Sequence, residues 1–80
     1  EYAPIRRAYE AAMAAGLYDG VEYISGGRRE AYATSNHIEY FAELTEAWFW
    51  INDFFPFERD DLLRHDPTGA EMVRDAWSRP

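Results

Sequence analysis

Apolar residues recur along much of this chain at intervals of three and four, the period of a helix with one buried side. In "PIRRAYEAAMAA", residues 4–15, they are Ile5, Ala8, Tyr9, Ala12 and Met13. Pro4 suits a first helical turn and Gly16 supplies a stop, so a first helix is expected over 4–15. The pattern then changes. Asp19-Gly20 signals a turn, Val21 to Ile24 favours extended backbone, and Ser25-Gly26-Gly27 offers a second turn. Together they predict a short β-hairpin, with residues 21–25 paired to 29–33. Tyr32 then falls at its far end.

The longest periodic stretch comes next, over residues 36–50. Asn36 is a good N-cap, and Glu39 three residues on completes an asparagine variant of the capping box. At about 100° per residue, Tyr40, Phe41, Leu44, Ala47, Trp48 and Phe49 sweep more than half of the circumference. Glu39, Glu43 and Glu46 fall within about 60° of one another. This helix is therefore expected to be broadly buried, with one narrow acidic seam. Asn52-Asp53 breaks it and Pro56 keeps the chain extended. A short helix over 58–65 follows. Asp66-Pro67 then restarts the chain as N-cap and first helical residue of a last helix, 67–77, expected to bury Met72, Val73, Ala76 and Trp77. The expected fold is mainly α (α+β): three to four helices and one short hairpin in a single compact unit, 1–80.

Composition narrows the function classes. An 80-residue chain buries only roughly 60% of its unfolded surface, so its core is marginal without a staple or a partner. There is no cysteine, which excludes disulfides and thiolate metal sites. The net charge of −7 argues against nucleic acid and anionic membranes as partners. All eight basic residues are arginine, which we read as codon bias of a GC-rich genome. No apolar run approaches the roughly 18 residues of a membrane span, and no signal segment is visible. Eight of the fourteen aromatic residues lie between Tyr40 and Phe57, so part of the surface is expected to face a partner. The chain opens on Glu1 rather than methionine, and a processed chain or a piece of a longer one is expected.

Three readings of the acidic seam stand side by side. Glutamates at helical spacing commonly form a solvated face, and Glu39 already serves the cap. A carboxylate on a rigid helix is also a hard ligand for a divalent cation, and a second one turn on can orient a histidine ligand. Thirdly, the seam can pair with arginines of another segment. Elsewhere the chemistry is thin. His37 and Glu39 diverge too far around the helix to hold one ion, and His37 reads as a packing residue. His65, at a helix end beside Asp66, reads as a favourable dipole partner. No serine has a local base, and "GGRR" is too short for a phosphate loop.

Tyr32, six intervening residues and then "EYFAE" resemble the carboxy-terminal part of the catalytic domain of the anthrax lethal factor family, zinc metallopeptidases of the gluzincin type. The flanking "RRAYEAAMAAGLYDGVEY" and "NDFFPFERDDLLRHDP" are similar to bacterial proteins of this sort. The motif covers about a dozen residues and the looser likeness most of the chain. The resemblance implies that Glu39 is the zinc-ligating carboxylate. Glu43 would hydrogen-bond a zinc-bound histidine and hold it in place, and Tyr32 would be the phenol that stabilises the oxyanion of the tetrahedral intermediate. It gives Glu46 no role.

The chain departs from the family in one respect: it contains no HExxH segment, which there supplies two histidine ligands and the general base. The resemblance therefore implies a carboxy-terminal fragment of a peptidase domain. Zinc and a peptide or protein substrate would belong to the full-length parent, and the partner of this piece would be an upstream HExxH-containing segment. The chain alone is expected to bind no zinc tightly and to have no activity. The alternative is a non-catalytic helical interaction module, whose aromatic surface binds a protein or makes a homo-oligomer.

Overall fold

A computed structural model describes residues 2–29 and 32–78, with the side chains of Arg29 and Tyr32 left undescribed. Four α-helices dominate: α1 (Ala3–Ala14), α2 (His37–Phe49), α3 (Arg59–His65) and α4 (Pro67–Ser78). They lie within one or two residues of the expected ranges. Pro4 stands in the first turn of α1. Beyond Ala14, Gly16 takes φ +66°, with its amide donating to the Met13 carbonyl at 3.1 Å. That left-handed conformation suits glycine and turns the chain out of the helix.

The expected hairpin over 21–25 and 29–33 does not form as such. What exists is a two-residue antiparallel ladder of β1 (Val21–Glu22) and β2 (Arg28–Arg29), with Val21 opposite Arg29 and Glu22 opposite Arg28. The Gly26-Gly27 turn closes it, and the Tyr23 amide donates to the Gly27 carbonyl at 2.8 Å. Past the turn, Tyr32–Thr34 winds into a 3-10 turn instead of continuing a strand. The segment finds another partner on its opposite side. Ile24 donates to the Asp53 carbonyl, Phe55 donates to the Glu22 carbonyl, and Tyr23 bridges Phe54. An isolated two-stranded hairpin is marginal in water, and the aromatic turn after α2 supplies the third segment that stabilises it.

The helices pack around one core. α1 lies against α2 and α4, α3 against α2 and α4, and the 3-10 turn lies along α2. The buried face of α1 is Ala8 and Ala12, with Ile5, Tyr9 and Met13 half-buried beside them. Small residues there let the helix backbones approach closely. Tyr18, Tyr40, Leu44, Leu62 and Val73 are the large fully enclosed side chains; each aliphatic one contributes about 1.5–3 kcal/mol of burial. Trp77, expected in the core, is instead 55% exposed. It stacks on Phe41 and meets Phe49 edge-on, so it covers rings of α2 without being covered itself.

Candidate functional site

The acidic seam divides once the chain is folded. Asn36 is in extended backbone, and its side chain accepts from the Glu39 amide at 2.8 Å. That bond satisfies one of the orphan donors of the helix start. Glu39 and Glu46 are exposed, whereas Glu43, between them, is buried at 6% exposure. α2 turns its Tyr40, Leu44 and Ala47 side inward, and Glu43 stands at the margin of that side.

Asn52 receives the buried carboxyl. Its side-chain amide donates to Glu43 Oε1 at 3.2 Å and to the Phe54 carbonyl at 2.9 Å, and its own backbone amide donates to Phe57. Glu43 Oε2 is buried and has no hydrogen-bond partner among the described residues. Burial pushes the Glu43 carboxyl up to about 7. Asn52 and the backbone of Ala33 pull the other way, while the charges of Glu46 and Glu39 add to the rise. An unmatched acceptor in a protein interior is costly, a cost eased here by the backbone of Ala33 and by the raised proton affinity of the carboxyl.

Tyr32 begins the 3-10 turn that packs along α2, and the next residue, Ala33, is fully buried and lies at Glu43. The phenol of Tyr32 lies outside the described side chains. Among the described residues no group of three or more His, Asp or Glu side chains is placed to hold a metal ion. His37 is half-buried at the start of α2, its ring 6.4 Å from that of Tyr9. His65 stands in the last turn of α3, as expected, and also reaches across the chain. Its Nε2 lies 2.5 Å from the Leu17 carbonyl, and its ring meets Tyr18 and Phe55 edge-on.

A second polar cluster could not be anticipated from local patterns. Asp66 is 2% exposed and caps α4, its Oδ1 accepting from the Gly69 amide at 2.9 Å. Its Oδ2 accepts from the hydroxyls of Tyr18 at 2.9 Å and Tyr40 at 2.6 Å. Burial first, and then the adjacent Asp66 carboxylate, push both phenols far above their ordinary range. Both tyrosines therefore remain protonated donors. Asp66-Pro67 signalled the cap; nothing local signalled tyrosines 48 and 26 residues away. Asn52 was likewise legible only as a helix breaker.

Compared with protein families, curated proteins and solved structures, the chain matches none.

Proposed function

We propose that this chain is the carboxy-terminal part of a gluzincin-type zinc metallopeptidase domain resembling the anthrax lethal factor family. Glu39 would be its carboxylate ligand, Glu43 the brace for a histidine ligand, and Tyr32 the oxyanion-stabilising phenol. The observation that supports the proposal is the pairing on α2 of an exposed carboxylate, Glu39, with a buried one, Glu43, a turn later. Carboxylates one turn from a ligand commonly hold a ligating histidine in the right tautomer.

The donor set fits such a centre in part: one hard oxygen ligand and its brace, with the histidines and general base left to an upstream HExxH segment. Zinc, when bound, supplies a Lewis acid that acidifies water and polarises the scissile carbonyl. The residues of this chain do the positioning. The Asn36 cap fixes the first turn carrying Glu39, and Asn52 orients the Glu43 carboxyl. The Tyr32–Thr34 turn brings the Tyr32 backbone alongside α2.

The parent protein provides the test. An HExxH within roughly a hundred residues upstream is required. In a domain containing it, Glu39→Gln should lose zinc, measured as bound metal per chain. Tyr32→Phe should keep zinc and lose peptide turnover. If both variants retain full activity, the assignment is wrong.

One observation favours a second reading, the non-catalytic interaction module. Ile38, Phe49, Trp50, Ile51 and Trp77 are all exposed, a large apolar share of the surface of a small chain. A parent without HExxH, together with a concentration-dependent mass in sedimentation, would favour that module.

A further inference from the structure

The far end of α2 carries a feature that the peptidase proposal does not use. Phe49, Trp50 and Trp77, with Thr45, line a solvent-open cavity of about 220 Å³ whose lining is apolar. Phe49 meets Trp77 at 5.9 Å and 85°, and Trp50 at 5.6 Å and 51°. Three aromatic rings, inclined to one another, thus line one apolar opening. The parallel partner of Trp77, Phe41, lies 6.0 Å away, outside the set of lining residues.

We propose that this opening is a binding site for a small methylated quaternary ammonium group of the choline type, with no anion attached beside it. Ring faces carry negative quadrupole potential, and several rings around one point attract a cation more than they attract a neutral group of the same shape. The surroundings agree in sign. Glu46 is exposed on the same side of α2, one turn before Phe49 and Trp50, and the chain carries −7 overall. Arg74, a turn before Trp77 in α4, is paired to Asp75 at 3.0 Å.

Hydrogen bonding separates a methylated cation from lysine or arginine. The indole N–H of Trp77 donates to the Thr45 hydroxyl at 3.1 Å, which engages the polar atoms of the lining and fixes the ring. A primary ammonium or a guanidinium would give up water at its N–H groups to enter the apolar lining, which Glu46 does not join. A quaternary nitrogen has no N–H to satisfy. An attached phosphate or carboxylate would be repelled by Glu46 and the acidic surface. Trp48 supplies a contrast, since the Arg59 guanidinium already lies 4.3 Å from its ring centroid.

Titration of the 80-residue chain with choline, read on the three tryptophan indole N–H resonances, tests the site. Saturable shifts are expected at Trp50 and Trp77, with Trp48 unmoved, at an affinity on the order of millimolar for so small a ligand. The neutral isostere 3,3-dimethylbutan-1-ol should bind at least about fivefold more weakly. Phosphocholine should also bind more weakly than choline. Trp50→Ala, at a residue 71% exposed, should lower choline affinity about tenfold with the circular dichroism unchanged. Equal binding of the neutral isostere, tighter binding of phosphocholine, an unaffected Trp50→Ala or an absence of shifts each overturns the proposal. None of these readouts involves zinc, so the peptidase proposal can fail independently of this one.

Discussion

Two buried carboxylates show how differently the same group can be housed. Asp66 receives two phenol hydroxyls and a backbone amide, so its desolvation is offset by directed donors. Asp66→Ala would strand both tyrosine hydroxyls and uncap α4. The expected loss is about 3–5 kcal/mol, most of the stability of a chain this short, measurable by urea denaturation. Gly69→Ala attacks the same cluster sterically. A Cβ there would fall on the Asp66 carboxylate and stand 2.5 Å from the Tyr40 hydroxyl and 2.6 Å from Leu44 Cδ2. Overpacking of this kind costs about 1–3 kcal/mol or more. Glu43 is the opposite case. Its carboxyl is raised to about 7 from an unfolded value of about 4.3, so the folded chain holds the extra proton between those two values. Stability is thus favoured below about pH 4 and falls as pH rises through about 7. Glu43→Gln should flatten that slope and raise stability at pH 8 by on the order of 2–3 kcal/mol. Chemical denaturation at pH 4, 6 and 8 would show it, and an unchanged slope would count against a neutral buried Glu43.

Among the elements, helices were legible because their signals are local. Proline and glycine bracket α1, Asn36 opens α2, and Asp66-Pro67 opens α4. Each signal acts within one turn of the residue that carries it. Asn36→Ala should therefore cost about 1 kcal/mol, seen as a fall in Tm of about 4–8 °C. The hairpin was less legible, because strand pairing depends on what else comes within reach. The 21–24 segment has two open edges. The partner on one of them, 53–55, lies thirty residues on and carries no strand signature beyond its aromatic residues. Trp77 illustrates the same limit within a helix. Its position continues the apolar stripe of Ala70 and Val73, but at the end of α4 it meets Phe41, Thr45 and Phe49 of α2 and stays half open to water.

For the whole molecule, size and charge set the terms. A radius of gyration of 11.5 Å fits a compact chain, as expected for this length. No described helix is long and apolar enough to cross a membrane. Zinc needs about four ligands, and Glu39 is the one ligand that the peptidase proposal draws from this chain. The isolated 80 residues should therefore take up no stoichiometric zinc in equilibrium dialysis at micromolar metal. Tight one-to-one uptake would sink the division of ligands proposed here.

The sequence by itself determined where helices begin and end, and which side of α1 and of most of α2 faces inward. Caps, glycine stops and the helical period act within a few residues, and the long-range fold does not override them here. It also placed Glu39, Glu43 and Glu46 on one side of a single helix. Only the tertiary structure separated them, because burial is decided by neighbours distant in sequence. The Tyr32–Thr34 turn and Asn52 close over Glu43, while Glu39 and Glu46 remain in water. The Tyr18–Asp66–Tyr40 cluster and the aromatic opening of Phe49, Trp50 and Trp77 have the same origin, with side chains 26 to 48 residues apart brought together by helix packing.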